Sequence, residues 1–129
     1  MVILIRTDKP ESFIGIHDGN DIVSGQRWET HRELSDKILK VIEGQVKSQD
    51  LTWNDIDGIV VFKGPGSFTG LRIGVTVANT LAESLGVPVV GVQGDEWVES
   101  GITRINNNDA DKIVMPEYGG HANITKPRK

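Results

Sequence analysis

The sequence predicts an α/β domain, a mixed β-sheet with flanking helices, in the order β-β-β-α-β-α-β. Three observations predict it. The chain opens with three strand-like apolar segments, and an Asp18-Gly19 turn signal separates the second from the third. Two segments of helical periodicity follow, each leading into a short apolar run. A helix set between two strands implies a parallel crossover, so parallel strands are added to an antiparallel meander.

Each element has its own signal. Val2 to Arg6 and Ser12 to His17 read as the first two strands, and Ile22 to Trp28 as the third, antiparallel to the second. Thr30 is the expected N-cap of the first helix, with Glu33 completing a capping box. That helix carries Leu34, Ile38, Val41, Ile42 and Val46 at helical spacing and ends near Ser48 to Asp50. Thr52 and Asp55 form a second box over one short turn. The run Gly58 to Phe62 is a buried strand, Leu71 to Leu85 a helix, and Gly86 and Pro88 its stop. Val89 to Val92 is the fifth strand. Beyond Gln93, Trp97, Val98, Ile102 and Ile105 suggest a short helix, and Lys112 to Met115 one more strand. From Glu117 onward little order is expected.

Bulk properties exclude several classes. A chain of 129 residues is one domain with room for a core. Its 18 acidic side chains outnumber 14 basic ones, which argues against a dedicated nucleic-acid binder. The absence of cysteine removes thiolate zinc sites, disulfides and a cysteine nucleophile, and fits a cytoplasmic protein. No apolar run approaches the roughly 18 residues needed to span a bilayer. The start, Met1 to Arg6, is charged too soon for a signal peptide.

The densest signal is Lys63-Gly64-Pro65-Gly66-Ser67-Phe68-Thr69-Gly70-Leu71-Arg72-Ile73-Gly74, between a strand and a helix. Its glycines allow a sharp turn and close backbone approach. A Walker motif would need Lys followed by Ser or Thr, which Gly70-Leu71-Arg72 lacks, so tight packing is expected in place of a phosphate cradle. Ser67 does not sit in a nucleophile elbow. His17, His31 and His121 show no metal-ligand spacing. Asp55, Asp57 and Asp95 read as cap or turn residues. Along the helix, Gly70, Gly74, Ala78 and Ala82 stack on one face, with Ile73, Val77, Leu81 and Leu85 beside them. One stripe is expected to fill the core, and the small-residue stripe to admit a second backbone. Spacing alone leaves open whether that backbone belongs to the same protomer. Arg72 projects from the first helical turn, either solvated or touching a partner.

The glycine-rich motif, with His31-Arg32-Glu33-Leu34 at the first helix, closely resembles the bacterial TsaB (YeaZ) family over Met1 to about Val92. The resemblance implies one half of an actin-like, Hsp70-like ATPase (ribonuclease H-like) fold. It implies a non-catalytic subunit supporting threonylcarbamoyl transfer to tRNA adenosine through a TsaD-like partner, which carries the metal, the nucleotide and the chemistry. A homodimer through the two helices and a TsaE-like ATPase are further partners it admits, with tRNA met only indirectly and no membrane. No cofactor and no metal are expected. The interface expected is the helix Leu71–Leu85 with the helix His31–Val46, and the expected contact residues are Phe68, Thr69, Gly70, Arg72, Gly74, Ala78 and His31.

Two departures stand out. Family members carry Asp-Thr-Ser-Thr or similar after the first strand, where ATPases of this fold bind phosphate. This chain has Thr7-Asp8-Lys9-Pro10. Members also have a second domain, where this chain has a short remnant ending in a family-like Val114-Met115-Pro116-Glu117-Tyr118. The expected organisation is therefore a TsaB-like domain at 1–92, a remnant at 93–116 replacing an internally deleted second domain, and a flexible tail at 117–129. The rival expectation is a minimal nucleotide-binding ATPase- or kinase-like domain. A peptidase, an old label for the superfamily, lacks a metal pair or Ser/His/acid set here.

Overall fold

Val2, Leu4, Ile3 and Ile5 alternate between two faces of a strand buried on both sides. That strand, β1 (Val2–Arg6), is the centre of the sheet in a computed structural model that describes residues 1–29 and 34–119. It pairs antiparallel with β2 (Glu11–His17), which pairs antiparallel with β3 (Ile22–Glu29). On its other side β1 pairs parallel with β4 (Gly58–Phe62), and β4 with β5 (Val89–Val92). The order across the sheet is β3-β2-β1-β4-β5, the meander with two parallel additions that the pattern implied.

The turn between β2 and β3 is built by Asp18. Its carboxylate accepts the backbone N–H groups of Asn20 and Asp21, each at 2.8 Å, and Gly19 takes φ of 103°. The Asp21 and Asn20 bonds hold the Asp18 carboxyl below its ordinary pKa.

Helices α1 (Leu34–Ser48) and α2 (Phe68–Leu85) cover one face of the sheet, through Ile38, Ile42, Val75 and Ala78 against Ile3, Ile5, Ile14 and Ile59. Helix α3 (Trp97–Asn106) covers the other, with Trp97 edge-on to Phe13 and Phe62. Residues of the expected remnant thus help close the core. The expected box over Thr52–Asp55 is present: the Asp55 carboxylate accepts the Thr52 N–H at 2.8 Å, beside a single 3-10 turn at Trp53–Asp55. Gly86 ends α2 in the left-handed conformation, φ 69°. The Thr30–Glu33 box lies outside the described residues. Among the described residues no helix is long and apolar enough to cross a membrane.

One element differs. Lys112 to Met115 does not extend the sheet; the contact is a single bridge between Val89 and Asp111. The reason is competition by side chains. The Asn79 amide bonds both the N–H and the carbonyl of Val114, at 2.9 and 3.0 Å. The Gly91 N–H goes to the Asp111 carboxylate and the Gly91 carbonyl to Arg104, so the outer edge of β5 is occupied.

Candidate partner interface

Helix α2 is entered through Gly64-Pro65-Gly66-Ser67, and this turn is packed against the loop that follows β1. The Ser67 N–H donates to the Asp8 carbonyl at 2.9 Å, and a Cβ at Gly66 would meet Asp8. Thr7 then fastens the helix. Its Oγ1 donates to the Gly70 carbonyl at 2.7 Å, and its side chain fills the space beside Gly74. A Cβ at Gly70 would collide with the Thr7 carbonyl, and one at Gly74 with the Thr7 side chain. The small-residue stripe is therefore spent inside the protomer.

This corrects the expectation that the stripe receives a partner's backbone. Gly74, Ala78 and Ala82 are buried, and Gly70 is half-buried, beneath the chain's own β1 end and sheet. Small residues let α2 lie close to its own sheet, and the spacing cannot distinguish that from close approach by a second molecule. The other stripe divides. Leu81 is buried, while Ile73 and Val77 are only partly so.

The outward side of α2 holds the remaining expected residues. Phe68, Thr69 and Arg72 are exposed, and the Arg72 guanidinium lies over the Phe68 ring, 5.3 Å from its centroid. His31 lies outside the described residues. The structure thus brings Phe68, Thr69 and Arg72 together and turns Gly70, Gly74 and Ala78 away from them. Thr69, Arg72, Ile73, Thr76 and Val77 line an open groove of about 360 Å³ with Ser35 of α1. Ile73 and Val77 belong to the second stripe read from the sequence, and Ile73, Thr76, Val77 and Ser35 all lie within the expected interface helices, but none of the four is among the expected contact residues. Their signal was charge: α2 carries only Arg72 and Glu83 in 18 residues, too few for a helix face left to water.

The loop after β1 is equally committed. The Asp8 carboxylate is buried and takes two bonds from the Arg6 guanidinium, 2.8 and 3.1 Å. Arg6 itself stacks 3.9 Å over the Phe62 ring. Among the described residues no group of three or more His, Asp or Glu side chains is placed to hold a metal ion.

A second charged network lies at the β5 edge. Arg104 pairs with Asp111 at 2.9 Å and with Asp109 at 3.2 Å. Burial pushes the Asp111 carboxyl up, but the Arg104 bond, the Gly91 N–H and the charges of Arg104 and Lys63 outweigh it and hold the group below its ordinary range. Arg104 is raised in turn, chiefly by its bond to Asp111.

Comparison with known proteins fits this geometry. Residues 28–116 match the family model "TsaD: tRNA N6-adenosine threonylcarbamoyltransferase". The tRNA threonylcarbamoyladenosine biosynthesis protein TsaB of Bacillus subtilis (strain 168) is 37% identical over 82 residues, 64% of this chain and 34% of that protein. The tRNA N6-adenosine threonylcarbamoyltransferase of Geotalea uraniireducens (strain Rf4) is 31% identical over 129 residues, 94% of this chain and 35% of that one. The solved structure of YeaZ from Pseudomonas aeruginosa shares the fold, with a TM-score of 0.65 at 24% identity over 71% of this chain and 43% of that one. The chain spans about a third of the length of the curated relatives it matches. Its mixed five-stranded sheet with helices on both faces is the actin-like, ribonuclease H-like α/β fold. With most of its length inside the matching model, the chain belongs to the tRNA N6-adenosine threonylcarbamoyltransferase family, as a TsaB (YeaZ)-like member.

Proposed function

We propose that this chain is a non-catalytic contact subunit in the formation of threonylcarbamoyladenosine in tRNA, acting through a TsaD-like partner. The partner docks on the outer face of α2 and the adjoining flank of α1. The observation that carries this reading is that face itself. Its groove holds Ile73 and Val77 partly exposed among Thr69 and Thr76, and among the described residues that line it Arg72 is the one charge. A solvent face so poor in charge is characteristic of the centre of a protein interface.

The catalytic role is assigned to the partner for a physical reason. The loop after β1 spends Thr7 on α2 and Asp8 on Arg6, so neither side chain is held ready for a phosphate or a metal. The names of the relatives are of both kinds, one a biosynthesis protein and the other a transferase, so the assignment rests on the loop and not on the names. The net charge of -4 leaves tRNA binding to the partner, since affinity for a polyanion rests on counterion release by basic side chains.

The test is reconstitution with a TsaD-like enzyme, its other components, ATP and tRNA. Modification is expected to fall when this chain is omitted, and the chain alone is expected to hydrolyse no ATP. Modification unchanged by the omission would remove the subunit role. Saturable ATP binding by the isolated chain, lost on mutation of Thr7 or Asp8, would favour a nucleotide-binding domain. A stable complex of two copies with no TsaD-like partner bound would make the face a homodimer interface.

A further inference from the structure

The segment that follows α3 crosses the molecule from the sheet edge to the start of α2, and each of its anchors is a different kind of contact. The Asp111 N–H donates to the Val89 carbonyl at 2.9 Å. Val114 is buried over Gly91, where a Cβ would strike it, and its peptide groups are held by the Asn79 amide from the middle of α2. The Glu117 N–H donates to the Lys63 carbonyl at 2.7 Å, at the end of β4. Tyr118 then lies on Phe68, ring centroids 4.5 Å apart at a 30° tilt. Glu117 and Tyr118, expected in a flexible tail, are thus docked on the glycine-rich turn.

Phe68 is the pivot. It is the first residue of α2, it stands 55% exposed, and its ring meets both the Tyr118 ring and the Arg72 guanidinium. Arg72 also lines the α2 groove. We infer that residues 111–118 form a strap that sets the partner-facing end of α2, with Asn79 and Tyr118 as its positioning residues. The inference rests on the reading of the outer α2 face as the surface for a TsaD-like partner, and it adds what holds that surface in shape.

The strap is suited to coupling because its docking is local. Ile113 and Met115 flank the buried Val114 and are 60% and 67% exposed, so one apolar side chain and a few hydrogen bonds hold its middle. Segments with few buried apolar contacts open below the free energy of global unfolding. A partner that binds Phe68 and Arg72 in their stacked arrangement favours the docked strap, and docking favours the partner by the same factor.

The experiment measures binding of a TsaD-like enzyme to the full chain, with hydrogen exchange on the chain free and bound. Tyr118→Ala should weaken binding about tenfold, a moderate loss for truncating an aromatic that shapes an interface. Tyr118→Phe should restore it, because the stack needs the ring and not the hydroxyl. Asn79→Leu should weaken binding as Tyr118→Ala does, with the melting temperature reporting that the fold is kept. The Val114 and Glu117 amides should exchange more slowly in the complex. Thr76→Glu, in the groove and in none of the strap's own contacts, checks the underlying surface. If Thr76→Glu weakens binding while Tyr118→Ala binds like the wild type and the amides do not slow, the strap is wrong and the surface stands. If Thr76→Glu binds like the wild type, the surface is wrong and the strap inference falls with it.

Discussion

The two faces of α2 teach different things about small and large side chains. The inner face is made of Gly70, Gly74, Ala78 and Ala82; it rests on Thr7 and the sheet, and at Gly70 and Gly74 even a Cβ has no room. The outer face carries Thr69, Ile73, Thr76 and Val77, larger residues in a looser setting. Smallness marks where the helix must lie close, and that is against its own β1. Scarcity of charge is what singles out the groove as the proposed docking surface, with Arg72 its charged lining residue among those described. Close fit and the proposed partner contact are therefore separate properties of one helix, assigned to separate stripes.

The largest effect should come from filling the inner face. Gly74→Leu drives a side chain into Thr7, and overpacking typically costs about 1–3 kcal/mol. In a chain of this size each 1 kcal/mol lowers the melting temperature by roughly 4 °C. Thermal unfolding should show that loss, while the molecules that remain folded keep their affinity for the partner. A Gly74→Leu protein that stays as stable as the wild type but no longer binds would reverse the assignment of the two faces.

The converse change belongs to the outer face. Thr76→Glu places a charge in the groove, where among the described residues Arg72 is the basic side chain that lines it. Partner affinity should fall by roughly 10-fold, because Arg72 one turn earlier can pair with the new carboxylate but the interface must still bury it. Stability should hold, because Thr76 is exposed and Glu is the better helix former. Titration against the partner, paired with a melting curve, separates the two faces in one protein.

Much of this was legible in the sequence, and the failures have physical causes. The mixed sheet followed from the turn between β2 and β3 and from the two helical crossovers, while the pairing of β4 with β1 and not with β3 was left to the structure. The turn of α2 could be read because glycine leaves a backbone signature at the residue that needs it. What could not be read was direction. The Gly70–Ala82 stripe states how close a neighbour comes and is silent on whose atoms it is, and Thr7 lies 63 residues from Gly70. The strap was hidden for a related reason. Asn79 and Val114 are 35 residues apart, and an amide side chain that mimics a strand leaves no periodicity behind.

A smaller effect isolates the hydrogen bond from the fit on the inner face. Thr7→Val keeps the branched shape beside Gly74 and removes the donor to the Gly70 carbonyl. The loss should be about 1 kcal/mol, the usual net worth of one such bond, against the larger cost of Gly74→Leu. Denaturant unfolding would show the difference. A loss as large as that of Gly74→Leu would mean that the bond, and not the shape, holds α2 to β1.

The last contrast sets contacts made by shape against contacts made by charge, and pH separates them. The inner face of α2 contains no titrating group, whereas the β5 edge beneath the strap depends on Asp111 with Arg104. The Asp111 carboxyl is held below its ordinary range in the folded chain, although burial alone would raise it. A carboxylate with a depressed folded pKa adds stability above its unfolded pKa of about 3.9. That stability is lost as pH falls through the lower, folded value, when Asp111 is protonated in both states. The difference in unfolding free energy between wild type and Asp111→Asn should therefore be flat from about pH 5 to 8 and shrink toward a constant below about pH 4. The difference between wild type and Gly74→Leu should not change over that range, because no proton is involved. Urea unfolding of the three proteins across this range gives both curves. If the Asp111→Asn difference stays flat below the ordinary carboxylate range or grows on acidification, the β5 edge is held by packing alone and its ion pair is incidental.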